Sequence, residues 1–201
     1  MPLLLPGINL ICGLDGETKG TYGMNMEFLS KLRDEGLMIR RINIRQVLPV
    51  RREFKVRVDQ RRFKKFKEDV RNNIDHEMLK RLVPKGTVLK DVFMEIHDGN
   101  TTFGRQIGSY PLLIGIPYKL ELGRSYDIVV TDWGMRSITG IENEVDINHL
   151  TRTSLAGLPG IGKKRASKIV MARPFTDLAQ LEKVIDDPHV FNDLKGHIVL
   201  R

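Results

Sequence analysis

The chain of 201 residues contains one cysteine, Cys12, and few aromatic residues, which make up 6% of the sequence. One thiol cannot form an internal disulfide, and it cannot supply the several thiolates that an iron–sulfur cluster requires. No apolar run is long enough to span a membrane, and the apolar residues 1–5 lack the basic segment that begins a signal peptide. These absences predict a protein of the reducing cytoplasm with no membrane partner.

Positive charge is in excess, with 33 Lys and Arg residues against 25 Asp and Glu residues, and it is unevenly distributed. The net charge is +1 over residues 1–50, +8 over 51–90, −5 over 91–150 and +4 over 151–201. Clustered basic residues are the electrostatic footprint of a protein that binds a polyanion. The sequence therefore predicts nucleic acid as the partner, bound through the middle and C-terminal segments.

Residues 155–170 contain the most informative pattern, a Pro-Gly-x-Gly turn between two helical segments. A short helix is predicted to end at Gly157, and a basic helix to begin at Lys163. The turn glycines can take positive φ and let the backbone approach another molecule, and the N–H groups at the start of the next helix attract anions. Because Lys163, Lys164 and Arg165 oppose the helix dipole, we expect an external phosphate to complete the site.

This pattern resembles the helix-hairpin-helix motif of proteins that bind nucleic acid without regard to base sequence. The resemblance implies that DNA or RNA phosphates are contacted by Leu158, Gly160, Ile161, Gly162, Lys163, Lys164, Arg165 and Lys168. A second copy is predicted to begin at residues 174–181 with Thr176 as its N-cap, but Ile-Asp-Asp-Pro-His at residues 185–189 replaces its hairpin. The alternative is a structural helix-turn-helix whose basic face is simply solvated.

The middle of the chain predicts one amphipathic helix, over residues 60–82, and then a series of short strands over residues 86–147. The helix carries an apolar stripe formed by Phe63, Phe66, Val70, Ile74 and Met78. We expect this stripe to pack against the protein, and the role of the surrounding basic residues stays open. About five short strands, with a hairpin turn at residues 98–100, predict a small barrel of the oligonucleotide/oligosaccharide-binding (OB) type. Residues 104–106 and 123–126 resemble the TRAM module of RNA-modifying enzymes.

The N-terminal segment predicts a β-α-β unit. Residues 7–13 suit a strand buried on both faces of a parallel sheet, a helix follows over residues 22–35, and a second strand lies within residues 38–47. Cys12 is predicted to be a buried small apolar residue. Because two strands do not make an independent sheet, we expect self-association through this incomplete unit, packing on the small barrel, or mobility.

Residues 9–18 are similar to the fifth-strand segment of radical S-adenosylmethionine enzymes, in which an apolar strand precedes Gly-x-x-Gly-Glu-Thr. Residues 40–47 then resemble the last barrel strand of that family. The resemblance covers nearly the whole chain and matches the C-terminal part of archaeal members that end in a helix-hairpin-helix. It implies that S-adenosylmethionine packs against Ile11, Gly13, Gly16 and Glu17, and that a full-length parent protein carries a [4Fe–4S] cluster. With one cysteine, this chain alone is expected to bind neither cofactor well.

Together these patterns predict a multidomain α+β protein. Residues 1–50 form the last β-α-β part of a radical S-adenosylmethionine (β/α) barrel, 51–85 a basic helical connector, 86–148 an OB/TRAM-like barrel and 149–201 a helix-hairpin-helix domain. The predicted function is the nucleic-acid-binding portion of an RNA-directed iron–sulfur oxidoreductase, which is not catalytically competent alone. The alternative is a stand-alone DNA- or RNA-binding protein. No catalytic residue or metal ligand is predicted within the chain.

Overall fold

The computed structural model of the protein describes residues 5–39, 41–51, 56, 58–108 and 111–201. Residues 1–4 of the apolar N-terminal stretch, and Arg40 of the predicted last barrel strand, lie outside the described residues. The structure is mixed α+β and divides into two compact units, Met1–Pro84 and Lys85–Arg201. None of the described helices has both the length and the apolar character needed to cross a membrane.

The first unit contains two strands and a set of helices. Its elements are β1 (Ile8–Cys12), α1 (Thr21–Asp34), β2 (Ile42–Gln46), α2 (Gln60–Val70), a π-helical turn (Arg71–Asp75) and α3 (His76–Leu82). The two strands pair in parallel, from Ile8 opposite Ile42 to Cys12 opposite Gln46. The predicted β-α-β unit therefore forms, although its second strand begins later than the alternating pattern from Met38 indicated.

The helical segment 60–82 packs by its apolar stripe, as the periodicity predicts. All five stripe residues are buried, and they share one hydrophobic cluster with Leu29 of α1 and with Cys12 and Ile42 of the strands. The ring of Tyr22 stacks on Phe66 with centroids 5.0 Å apart. Burial of each large apolar side chain stabilises the folded state by about 1.5–3 kcal/mol. Burial of the stripe therefore holds the helical segment on the β-α-β unit.

Strand β1 is covered on one face, so the prediction that both of its faces are buried was wrong. Cys12 is only 1% exposed, whereas Ile11 is 54% exposed and Asn9 is also exposed. Successive strand residues point to opposite faces, and in the described part of the chain the helices pack on the face that carries Cys12. The continuous apolar run indicated the strand correctly, but it could not indicate how many layers cover it.

The second unit begins with a closed barrel of five strands. They are β3 (Val88–Asp98), β4 (Thr101–Gln106), β5 (Leu113–Ile116), β6 (Ser125–Trp133) and β7 (Ser137–Glu142). The order around the barrel is β3-β4-β5-β7-β6, with β5 and β7 parallel and the other pairs antiparallel. Gly99 and Asn100 connect β3 to β4, which is where the hairpin turn was predicted.

A buried threonine fixes the segment that follows β5. Thr102 is fully buried, and its hydroxyl donates to the Tyr118 carbonyl (2.8 Å) and accepts from the Leu120 N–H (2.9 Å). The Tyr118 hydroxyl accepts from the backbone N–H of Glu142 at 3.1 Å. Buried polar groups destabilise a fold unless they are hydrogen-bonded, so these contacts hold residues 117–120 against the barrel.

Four α-helices and one 3₁₀ helix (Lys195–His197) follow the barrel, between two short parallel strands. The elements are β8 (Val145–Asp146), α4 (Arg152–Gly157), α5 (Gly162–Ala172), α6 (Leu178–Ile185), α7 (Pro188–Leu194) and β9 (Ile198–Val199). The N-cap of α6 is Asp177, whose carboxylate accepts from the Gln180 N–H, and not Thr176 as predicted. Thr176 instead donates its N–H to the Gln180 side chain at 3.0 Å, so the two residues close the amino end of the helix together.

Candidate nucleic-acid interface

The first helix of the hairpin is held at both ends. At its start the hydroxyl of Thr151 accepts from the Ser154 N–H at 3.1 Å, which is an ordinary N-cap. At its end Gly157 lies so close to the barrel that a Cβ added there would be 2.4 Å from the Pro117 carbonyl oxygen. Because Thr102 is hydrogen-bonded to Tyr118 and Leu120 of the same segment, α4 packs against a part of the chain that is held to the barrel.

The turn between α4 and α5 has the backbone that its glycines predict. Gly160 and Gly162 have φ of +73° and +60°, a region that other residues rarely adopt. Leu158 and Ile161 are buried, with exposures of 2% and 3%, and the Ile161 N–H donates to the Leu158 carbonyl at 3.1 Å. The two apolar side chains therefore anchor the turn, while the two glycines lie on its exposed side.

The amino end of α5 is open to an anion. Within the described chain, no side chain caps this helix and its first turn carries no acidic residue. Lys163, Lys164 and Lys168 are all exposed around it. A Cβ added to Gly162 would meet nothing within 4 Å, so the space beside the helix terminus is unfilled by described residues. Unpaired N–H groups, the helix dipole and ammonium groups together favour a phosphate at this position.

Arg165 differs from the neighbouring lysines because its side chain points into the protein. Its guanidinium donates to the carbonyl oxygens of Gly160 and Ile185, each at 2.8 Å, and to the carboxylate of Asp187 at 2.9 Å. The side chain is 31% exposed. The sequence placed Arg165 among the phosphate-contacting residues, and its spacing alone gave no sign of these internal contacts.

The segment in which the sequence indicated a lost second hairpin forms a tight turn between α6 and α7. Asp186 takes the left-handed conformation (φ +54°) and donates its N–H to the Glu182 carbonyl. Asp187 is the N-cap of α7, accepting from the N–H groups of His189 and Val190. The Asp-Pro pair at residues 187–188 is a helix-start signal, with an N-cap followed by proline at the first helical position. That signal could have predicted this second helical pair.

The residues predicted to line an S-adenosylmethionine site lie at the end of β1 and in the loop after it. Glu17 accepts a hydrogen bond from the Gly13 N–H, which closes the loop on itself. A Cβ on Gly13 would come within 2.6 Å of Val58, so this glycine is required by packing. Ile11 and Gly16 are exposed. The end of β1 and the loop after it therefore present two exposed apolar side chains, Ile11 and Leu14, and the positive-φ Gly16.

The donors for an iron–sulfur cluster do not fit. The sequence has one cysteine, it is buried, and burial together with the nearby Glu17 carboxylate raises the pKa of the Cys12 thiol. Across the described residues, no three or more His, Cys, Asp or Glu side chains are grouped so as to hold a metal ion. Cys12 thus occupies the position of a small buried apolar residue.

The polar cluster at residues 146–149 serves the fold. Asp146 accepts hydrogen bonds from the Asn148 N–H (3.0 Å) and from His149 (2.7 Å). Burial acts to raise the pKa of Asp146, but these hydrogen bonds outweigh it and hold the pKa below its usual value. Asn148 also accepts from the Phe175 N–H and donates to the Phe175 carbonyl. The cluster therefore ties the start of the helical region to the segment after α5.

Comparisons with known proteins agree with this geometry. Residues 141–199 match the family model described as the helix-hairpin-helix motif. The chain is 52% identical over 149 residues to an uncharacterized protein of Methanocaldococcus jannaschii, a match that covers 70% of this chain and 27% of that protein. It is 39% identical over 191 residues to an uncharacterized protein of Archaeoglobus fulgidus, with 92% and 35% covered. The chain thus spans about a quarter to a third of the length of these relatives.

Proposed function

We propose that the α4–α5 hairpin binds the phosphate backbone of a nucleic acid without reading its bases. The observation that carries the proposal is the uncapped, exposed amino end of α5, flanked by two positive-φ glycines and exposed lysines, inside a segment that matches the helix-hairpin-helix model. Such a site offers N–H donors and positive charge to a phosphate, and nothing in it is arranged to recognise a base edge. Binding is therefore independent of base sequence.

The small barrel supports this function mainly as a scaffold. We propose that it is an OB/TRAM-like barrel, on the grounds of its five closed strands and the resemblance of residues 104–106 and 123–126 to the TRAM module. Residues 91–150 carry a net charge of −5. An acidic surface is repelled by a phosphate backbone, and binding to nucleic acid depends strongly on cations. Within the second unit, the electrostatic share of the affinity therefore comes from the hairpin and not from the barrel.

We also propose that the β1–α1–β2 unit is the last part of a radical S-adenosylmethionine barrel and that the protein to which it belongs acts on RNA. The parallel pairing of β1 with β2 across α1 supports this, as does the Glu17 contact that closes the Gly-x-x-Gly-Glu-Thr loop. The relatives are about three to four times as long as their matched segments. The cluster chemistry of such enzymes has no ligand set in this chain.

The competing proposal is a stand-alone nucleic-acid-binding protein without enzymatic activity. It requires only the hairpin and its supporting barrel, and it assigns no role to the loop at residues 13–18. Binding of S-adenosylmethionine distinguishes the two, because a pure binding module has no reason to hold it. Calorimetry with S-adenosylmethionine on the full-length Archaeoglobus relative tests that difference, because weak or no binding by this chain alone is expected under both proposals.

Self-association through the first unit is a further proposal, with a second copy of the chain as the partner. Met24 and Phe28 of α1 are 60% and 51% exposed, and they lie one turn apart on the same helix face. Among the described residues, β1 pairs only with β2, which leaves strand edges of the kind that promote association. Sedimentation of the wild type and of Phe28→Glu tests it: the variant is expected to shift toward monomer.

The experiment that tests phosphate binding is a salt titration with two unrelated single-stranded oligonucleotides and two unrelated duplexes. Affinity is expected to fall with salt, with a log–log slope of about −0.7 per neutralised phosphate on single strands and about −0.9 on duplex DNA. Lys163→Ala should reduce the slope by about one phosphate, whereas Lys90→Ala, an exposed lysine of the barrel, should leave it unchanged. Affinity that does not depend on salt would rule out the proposal.

A further inference from the structure

The side chain of Arg165 joins the phosphate-binding turn to the second helical pair. It is the fourth residue of α5, and its three hydrogen bonds go to Gly160 in the turn, to Ile185 at the end of α6 and to Asp187 at the start of α7. A guanidinium has donors in a fixed planar fork, so contacts in several directions define its orientation closely. Through these bonds Arg165 sets the position of the turn relative to α6 and α7.

The peptide group between Gly160 and Ile161 is held at both of its polar atoms. Its carbonyl oxygen accepts from Arg165 at 2.8 Å, and its N–H donates to the Leu158 carbonyl at 3.1 Å. This peptide lies between Gly160 and Gly162, whose φ values are +73° and +60°. These two residues set the direction from which the backbone N–H groups of the turn meet a ligand.

Asp187 accepts hydrogen bonds from α7 and from Arg165 on different carboxylate oxygens. Its Oδ1 accepts from the N–H groups of His189 and Val190, at 3.1 and 3.2 Å, and its Oδ2 accepts from Arg165. Val190, one turn into the same helix, lies against Gly160, where an added Cβ would be 2.5 Å from its Cγ2. The start of α7 thus supports the turn twice, once through the Arg165 fork and once by direct packing.

We propose that Arg165 is a positioning residue: it shapes the phosphate-binding turn from inside, while Lys163 and Lys164 contact the phosphate. The second helical pair, α6 and α7, holds the Arg165 side chain in this position. In that role α6 and α7 form a brace for the first hairpin and do not add a second phosphate site. This inference rests on the proposed function, because it assigns the division of labour within the same site.

The two roles for Arg165 predict different behaviour on substitution by lysine. A phosphate contact depends mainly on charge, which a lysine side chain at this position would keep, so Arg165→Lys would bind almost as well as the wild type. A positioning fork depends on donors in several directions, and one ammonium cannot reach the three acceptors in the same geometry. Arg165→Lys should therefore lose nearly as much affinity as Arg165→Ala, on the order of tenfold.

The salt dependence separates positioning from direct contact. For Arg165→Ala and Arg165→Lys the log–log slope of affinity against salt should stay equal to that of the wild type, because the number of neutralised phosphates is unchanged. Lys163→Ala, measured alongside, should lower the slope by about one phosphate. Asp187→Asn keeps one oxygen to cap α7 but sets an amide NH2 opposite Arg165 in place of the acceptor oxygen, so it should keep the start of the helix and still bind more weakly than the wild type.

Amide NMR spectra of the full chain, recorded without ligand, show whether the variants remain folded and where they change. Positioning predicts that the Gly160 and Gly162 signals move in both Arg165 variants, while signals of the barrel strands stay in place. A lower salt slope in Arg165→Ala, together with near wild-type affinity in Arg165→Lys, would overturn the inference and make Arg165 a phosphate ligand. Salt-independent binding by the wild type would instead overturn the proposed function itself.

Discussion

Gly160 and Val190 are in contact across the two helical pairs of the C-terminal region. A Cβ built on Gly160 would lie 2.5 Å from Cγ2 and 3.0 Å from Cγ1 of Val190. Gly160 also has φ of +73°. The residue is therefore a glycine for two independent reasons, the backbone conformation of the turn and the valine beneath it. This contact packs the α4–α5 turn against α7 although Gly160 itself is exposed to solvent.

Replacing Gly160 by alanine is expected to destabilise the second unit by about 2–5 kcal/mol. The left-handed backbone costs an L-residue about 1–2 kcal/mol, and forcing a methyl group against Val190 costs about 1–3 kcal/mol more. The free energy of unfolding is measured by a urea titration that is monitored by circular dichroism. Val190→Ala in the same chain should remove the packing cost and leave the backbone cost. The double mutant should therefore be less destabilised than the sum of the two single mutants. If the effects of the two substitutions simply add, the contact between residues 160 and 190 does not affect the free energy of unfolding.

Replacing Gly162 by valine is expected to weaken nucleic-acid binding to a similar extent for unrelated base sequences. Gly162 has φ of +60°, and an added Cβ would meet no atom within 4 Å, so the new side chain fills the space that a phosphate would approach. Gly123 of the barrel is a matched control, with φ of +78° and the same open surroundings. Gly123→Val should lose comparable stability and keep its affinity. Unchanged affinity in Gly162→Val would place the phosphate elsewhere.

Acidification is expected to destabilise the second unit through His197. Burial lowers the pKa of this imidazole from 6.5, and its Nδ1 lies 3.1 Å from the side-chain oxygen of Asn143. Because the folded state favours the neutral imidazole, the stability that His197 contributes is fully present above about pH 6.5. That stability is lost as the pH falls through the lowered folded pKa. Urea midpoints measured from pH 7.5 down to pH 5 should fall more in the wild type than in His197→Gln. Equal pH dependence in the two proteins would contradict this.

Reconstitution with iron and sulfide is expected to give no stoichiometric cluster absorbance. A [4Fe–4S] cluster needs several thiolates, and the only cysteine in the sequence is buried with a raised pKa. S-adenosylmethionine should also bind weakly or not at all, because the described part of the chain offers only the exposed Ile11 and the loop beside it. The checks are the visible absorption spectrum and calorimetry. A loaded cluster with tight S-adenosylmethionine binding would refute the prediction.

The helices and strands followed closely from local patterns. The apolar stripe from Phe63 to Met78 has the period of a helix, and every member of it is buried. The Asp-Gly-Asn sequence at residues 98–100 predicted the turn between β3 and β4. The Pro-Gly-x-Gly turn predicted positive φ at Gly160 and Gly162. The helical period and the turn backbones depend on neighbours within a few residues, so the sequence determines them by itself.

Tertiary structure decided which of these features face solvent and which face protein. Ile11 and Cys12 are adjacent apolar residues of β1, yet one is 54% exposed and the other 1% exposed, because the helices pack on one side of the strand pair. Lys164 and Arg165 are adjacent basic residues, yet the lysine is exposed while the arginine reaches Ile185 and Asp187, some 20 residues further along the chain. Residue type and spacing carry no information on such distant acceptors. Their positions are set only when α6 and α7 pack beside the hairpin.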